Sequence, residues 1–129
     1  MELKGDAMCF ACGGENPIGL KLKFRWEGDR YRTEFIPGEE HQSYTGLMHG
    51  GLICTILDEV MGKLLYSRGI NAVTARLEVR FRRPVAVGEK VIFRGEIVAD
   101  KGKLIETRAE AATEDGTGLA AAKAVFMRV

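Results

Sequence analysis

No apolar run in this 129-residue chain approaches the roughly 18 residues that a membrane-spanning helix needs. The opening residues, Met1-Glu2-Leu3-Lys4-Gly5-Asp6, lack the apolar core of a secretory signal, so cytoplasmic residence is the expectation. Net charge is almost absent: 19 Lys and Arg stand against 18 Asp and Glu, which removes any global attraction to nucleic acid or to a membrane surface. Cysteine is scarce and odd in number. Cys9, Cys12 and Cys54 cannot build a disulfide framework. Histidine is scarcer still, with only His41 and His49. Zinc takes about four ligands, usually from a second Cys pair or a His pair. Cys9-Phe10-Ala11-Cys12 is a CxxC with neither beside it, so no metal and no cofactor are expected. A redox CxxC normally opens a helix, but Gly13, Gly14, Asn16 and Pro17 follow here, so the segment reads as a loop. There is no internal repeat, linker or low-complexity stretch, and one domain over residues 1–129 is expected.

What is present is a pattern that changes period twice. Leu20 to Trp26 alternates strictly and predicts a half-buried strand. Glu27-Gly28-Asp29 is a turn into a second strand over Tyr31 to Ile36. A polar loop over 39–48 carries His41, Gln42, Ser43 and Tyr44. From Leu52 the apolar residues fall at helical spacing: Ile53, Ile56, Leu57, Val60, Met61, Leu64 and Leu65. That predicts one long helix, with Gly69 suited to its C-cap. Afterwards the period returns to two. Val73, Ala75, Leu77, Val79 and Phe81 alternate with Thr74, Arg76, Glu78, Arg80 and Arg82. Strands over Val91–Ala99, Leu104–Thr113 and Leu119–Val129 follow, separated by tight turns that imply antiparallel pairing. A single helix this apolar must be covered, so the sheet should curl around it. The fold class is α+β, with a curled antiparallel sheet of five to six strands around one central helix.

The richest chemistry lies in His49-Gly50-Gly51 and the helix that follows it. A helix N-terminus offers unspent backbone N–H groups and the positive end of a dipole. Two turns on stand two adjacent acids. Glu59 has Lys63 four residues later, in the favourable acid-first order, and reads as its solvated partner. Asp58 has Cys54, Met61, Gly62 and Leu65 as its helical neighbours and no local charge to neutralise it. It is the candidate base or nucleophile. The alternative is an aspartate hydrogen-bonded to a neighbouring strand. His49 could equally cap the helix. Arg76, Arg80 and Arg82, with Arg83 after them, form either a solvated face or a binding patch for a phosphorylated carrier. Aromatics are not interleaved with them, which argues against nucleic acid.

These motifs resemble those of hotdog-fold acyl-CoA thioesterases, most closely the phenylacetyl-CoA thioesterase-like branch. His49-Gly50-Gly51 followed by Leu57-Asp58-Glu59 is similar to the family's helix start. Cys9-Phe10-Ala11-Cys12-Gly13-Gly14-Glu15-Asn16-Pro17-Ile18-Gly19-Leu20 resembles the lead-in of one subgroup, and Leu77 to Glu89 the strand and turn after the helix. The resemblance implies that Asp58 is base or nucleophile and that the Gly50 N–H polarises the thioester carbonyl. It implies that Thr74 supplies a supporting hydroxyl. Ser43 stands where many relatives place an Asn that orients the attacking water, six residues before His49; Gln42 or His49 could share that role. Gly51, Glu59 and Arg76, Arg80, Arg82 and Arg83 would contact the acyl-CoA substrate. A homodimer or a dimer-of-dimers tetramer is implied, with Asp58 and Gly50 of one site coming from different subunits. The competing readings are a non-catalytic acyl-CoA-binding or regulatory module on the same fold, and a hydratase or dehydratase.

Overall fold

The computed structural model describes residues 1–129. Six strands and one helix follow one another as expected: β1 (Arg25–Glu27), β2 (Arg30–Phe35), α1 (Gly50–Ser67), β3 (Ala72–Phe81), β4 (Val91–Asp100), β5 (Leu104–Thr113) and β6 (Gly118–Arg128). The strands form one antiparallel sheet in the order β1-β2-β4-β5-β6-β3. The chain therefore leaves β2 near one edge, passes through α1, and returns at the far edge as β3. This is the curled sheet around a single helix expected of the hotdog fold. No helix is long and apolar enough to cross a membrane.

The helix buries the face its sequence promised: Ile53, Ile56, Leu57, Val60, Met61, Leu64 and Leu65 are all inaccessible or nearly so. Each such side chain contributes roughly 1.5–3 kcal/mol on burial. The sheet meets it with small residues. Val79, Ala122, Ala109, Gly95 and Tyr31 form one cross-strand row, and Phe81, Ala120, Ala111, Phe93 and Thr33 another. A Cβ on Gly95 would stand 3.3 Å from Val60 and 3.5 Å from Met61, so the helix sits almost on the backbone there. The helix ends where Gly69 adopts φ 75°. Gly69 N–H donates to Tyr66 O and Ile70 N–H to Leu65 O, both at 3.0 Å, which closes a Schellman turn.

Two boundaries and one register differ from expectation. The first strand begins at Arg25 rather than Leu20, because Lys21 takes a left-handed φ of 54° that no strand admits. Leu20 and Leu22 are buried nonetheless, hydrogen-bonded to Phe10 O and Ala11 O of the lead-in. The helix starts at Gly50, two residues earlier than its first apolar position, so Gly50-Gly51 are its first turn and not a hinge before it. Lastly, β3 does not alternate strictly. Its register against β6 slips between Thr74 and Arg76, leaving Ala75 as a bulge. Thr74 pairs with buried Phe126, as Leu77, Val79 and Phe81 pair with buried Ala124, Ala122 and Ala120. Thr74 thus shares the helix-facing side with Leu77, Val79 and Phe81, while Arg76 and Arg80 lie on the outer side.

Candidate functional site

Asp58 projects from the middle of α1 toward β3, and the Thr74 hydroxyl donates to its Oδ1 at 2.7 Å. The expected acid and hydroxyl therefore meet, and they meet because the bulge turns Thr74 inward. A threonine is stiff about its first side-chain torsion, so it holds the carboxylate in one orientation. The pair opens onto a groove of about 430 Å³, walled also by Gly62, Tyr66, Val73 and Phe126. A side chain at Gly62 would project toward the Phe126 ring, so glycine keeps the floor of the groove beside Asp58 open.

The helix N-terminus is arranged differently. His49 is the N-cap, and its Nδ1 accepts from the Gly51 N–H at 2.9 Å. The tautomer with the proton on Nε2 follows from that bond. The Leu52 and Ile53 N–H groups both turn back to His49 O. The Gly50 N–H donates to nothing in the chain, so it is the one unspent donor of this turn facing out from the helix start. Ser43 is exposed on the preceding loop. Gln42 is committed to that loop: its amide donates to Glu39 O at 3.1 Å and its carbonyl accepts from Gly46 N–H at 2.6 Å.

Asp58 and Gly50 are eight residues apart on one helix, about 12 Å along its axis at 1.5 Å per residue. One carbonyl cannot touch both. The chain therefore presents two separate groups, an acid with a hydroxyl at mid-helix and an open N–H with Ser43 nearby in sequence at the helix start.

Glu59 does not do what was expected of it. It forms none of the chain's ion pairs. Lys63 instead lies over the Tyr66 ring, 5.0 Å from its centroid. The lead-in folds over this edge of the helix and brings Cys9 Sγ and Cys12 Sγ each to 3.8 Å from the Glu59 carboxylate. Burial raises the Glu59 carboxyl above its usual range, with Lys63 opposing. Burial also pushes the Cys12 thiol up to about 12, aided by Cys9 and Glu59. Reading the sequence by helical neighbours missed this contact because its partners lie about fifty positions away. The CxxC itself was the only signal.

The arginines are on the outer face. Arg80 and Arg82 line a groove of about 410 Å³ with Arg30, Arg94 and Arg108, and Arg76 lies in the adjoining one. The sheet separates them from Asp58. Arg83 is beside Asp115, at the β5–β6 turn. Arg30 is paired with Glu110, Arg94 with Glu27 and Arg108 with Glu96. Arg76, Arg80, Arg82 and Arg83 have no such partner.

Residues 45–120 match the family model described as thioesterase superfamily. The bovine (Bos taurus) acyl-coenzyme A thioesterase THEM4 is 29% identical over 104 residues, 79% of this chain and 43% of that protein. The chain thus spans less than half the length of that relative. Among solved structures, a thioesterase superfamily protein superposes with a TM-score of 0.86 at 25% identity, covering 95% of this chain and 62% of that one. A hypothetical thioesterase protein with coenzyme A from Streptococcus pneumoniae TIGR4 gives 0.78 at 16% identity, covering 84% and 85%. Two variants of a hypothetical thioesterase from the same organism have also been solved, one replacing a threonine by alanine and one an aspartate. The PaaI protein of the E. coli phenylacetic acid degradation operon gives 0.79 at 14% identity, over 84% of each chain.

Proposed function

The chain belongs to the thioesterase superfamily, and from that premise we propose that it hydrolyses acyl-CoA thioesters to the free acid and CoA. The observation that carries this reading is the Asp58–Thr74 pair on a helix whose own Gly50 N–H is unspent. In the proposed reaction the thioester carbonyl oxygen rests against the Gly50 N–H. As the carbonyl is attacked it becomes an oxyanion, and a preorganised donor of this kind is worth roughly 3–4 kcal/mol. Asp58 either takes a proton from the attacking water or attacks the carbonyl itself, giving a mixed anhydride that water then opens. In both cases the C–S bond breaks, the acyl carbon gains a water oxygen, and CoA leaves as thiolate and is reprotonated. Thr74 is a positioning residue that aims the carboxylate. Ser43, or His49 through its free Nε2, holds the water.

Because Asp58 and Gly50 of one helix stand about 12 Å apart, the reading requires a homodimer in which each site takes Asp58 from one subunit and Gly50 from the other. The free edge of β3 is where the copies would join. It is ten residues long, unpaired on its outer side, and carries partly exposed Val73, Leu77 and Phe81. Such an edge is a template for another strand. A fold neighbour binds coenzyme A, and the unpaired Arg76, Arg80, Arg82 and Arg83 are the groups proposed to hold CoA phosphates at the outer face. The aspartate and threonine replaced in the streptococcal variants are sixteen positions apart, the separation of Asp58 and Thr74 here.

The first test is an acyl-CoA panel from acetyl through long-chain to aryl, followed by free-thiol release. Turnover of at least one member is expected. Tight binding of acyl-CoA without thiol release would replace the enzyme by the non-catalytic binding module. Gly50→Pro then tests the N–H donor with little structural cost. Gly50 is the first helical residue, where proline is tolerated, and His49 before it is extended at φ −63°, ψ 128°, as a residue preceding proline must be. Activity should fall about a hundredfold to a thousandfold. Mixing Gly50→Pro chains with Asp58→Asn chains should restore about a quarter of wild-type activity, since half of the dimers are mixed and each holds one intact site. No recovery after demonstrated subunit exchange would overturn a site shared between subunits.

A further inference from the structure

Cys9, Cys12 and Glu59 form a second cluster that the hydrolytic reading does not use. Their three ligand atoms lie within 4.8 Å of one another. We propose that these residues bind one zinc(II) ion, with solvent as the fourth ligand, and that the ion clips the N-terminal lead-in to helix α1.

The spacing fits a metal site. With Zn–S near 2.3 Å and Zn–O near 2.1 Å, neighbouring ligand atoms of a tetrahedral site stand about 3.6–3.8 Å apart. Both thiols are 3.8 Å from the carboxylate, one facing each of its oxygens. The Cys12 N–H also points at Cys9 Sγ, at 3.5 Å. A backbone donor so placed stabilises a thiolate.

The chain between the cysteines is built to hold this shape. Gly13 N–H closes a tight turn onto Cys9 O at 2.8 Å. A Cβ on Gly13 would fall 2.3 Å from Ala7 O and 2.5 Å from Cys9 N, so only glycine fits behind the second cysteine. Ala11, between the two cysteines in the chain, is buried in the core, and Asn16 fastens the segment at both sides by donating to Met8 O and accepting from Ile18 N–H, each at 3.0 Å. The Glu59 carboxylate is partly desolvated and has no ion-pair partner. A dication at the convergence point supplies the missing charge. Two thiolates, one carboxylate and zinc sum to a single negative charge, and Lys63 stands ready to balance it: burial alone would lower its ammonium, but Cys12, Glu59 and Cys9 raise it.

Mixed sulfur and oxygen donors in a tetrahedron suit zinc over calcium or magnesium, which take oxygen alone. On binding, the two thiol protons pass to solvent. The proposal is independent of thioester hydrolysis and its readout is not activity.

The test is a cobalt(II) titration of the reduced, chelator-stripped full chain, followed by displacement with zinc(II). One equivalent of cobalt is expected, with thiolate-to-cobalt charge-transfer absorption that zinc abolishes. Cys9→Ser/Cys12→Ser should lose the absorption. Glu59→Gln keeps both sulfurs, so it should retain charge transfer but bind at least about tenfold more weakly, as loss of even an outer-shell partner does. Circular dichroism checks that each variant is folded, and the wild-type titration decides the matter if one is not. Absence of charge transfer in the reduced wild type overturns the site. So does equal affinity in Glu59→Gln, which would leave a two-sulfur site without the carboxylate. Stoichiometric Cys9–Cys12 disulfide formation in a protein that takes up no metal when reduced also overturns it and makes the pair a redox element.

Discussion

Asp58 and Glu59 are neighbours in the chain and carry the same charge, yet they live on opposite edges of one helix. A step of one residue turns the helix by about 100°. That turn sends Asp58 to a strand and Glu59 to the lead-in. Asp58 meets a hydroxyl that donates to it at 2.7 Å, beside a groove that both acids line. Glu59 meets two sulfurs and loses water. The first environment holds a carboxylate in one orientation beside a groove. The second holds a carboxylate that a cation would complete. Chemistry here follows from what covers each edge of the helix, not from the residue type.

The contrast breaks most readily at Asp58. Asp58→Asn should lower acyl-CoA turnover by about a hundredfold to ten-thousandfold, the range for loss of a general base. Glu59→Gln should lower it by less than about tenfold. Steady-state assays of both variants on one substrate decide it, and equal losses would erase the distinction between the acids.

Both acids depend on how closely the helix sits on the sheet. Gly95→Val places side-chain atoms where Val60 and Met61 already pack. It should cost about 1–3 kcal/mol of stability, read from denaturant midpoints at constant m-value. An unchanged midpoint would mean that the helix is free to lift.

A smaller effect is expected at Thr74. Thr74→Val keeps the shape and removes the donor, and should reduce kcat about tenfold with KM little changed. Thr74→Ser should recover most of the loss. If Ser and Val behave alike, the hydroxyl does not aim the carboxylate.

A third acid sharpens the comparison with the least effect. Glu27 accepts from Arg94 and Arg32 at the sheet's outer side, and those bonds lower its carboxyl to about 2. A depressed folded-state value stabilises the fold above the unfolded value near 4.5, and that stabilisation is lost as pH falls toward about 2. The difference in urea midpoint between wild type and Glu27→Gln should therefore be full at neutral pH and shrink below about pH 4.5. A difference that persists unchanged at low pH would show that the variant disturbs packing instead.

Much of this was readable from the chain because periodicity reports burial. The seven buried helix residues, the six strands and the split between the two acids all follow from spacing. The pairing of Asp58 with Thr74 came from a family resemblance, and plain alternation would have set Thr74 on the wrong side of β3. A bulge is one residue of register, and nothing in Thr74-Ala75-Arg76 marks it. The early end of the alternating segment at Lys21 escaped for a similar reason, since a lysine in the left-handed region is set by its surroundings. Glu59 was misread because helical neighbours were the only partners in view. Its actual neighbours arrive from a loop whose path is determined by Gly13 and Asn16, not by any period. The arginine patch was legible as a cluster but not as a location, because strand alternation says which residues share a face and not which face holds the site.

The bulge at Ala75 works as a vernier. Below it, Thr74 answers to Asp58; above it, Leu77, Val79 and Phe81 pair with buried alanines of β6. A one-residue change of register turns a side chain to the other face of its strand, so the looped residue is what lets Thr74 face Asp58 while Leu77, Val79 and Phe81 keep their pairing with buried alanines. The aim of the acid and the packing of the core are thus set by two separate stretches of one strand.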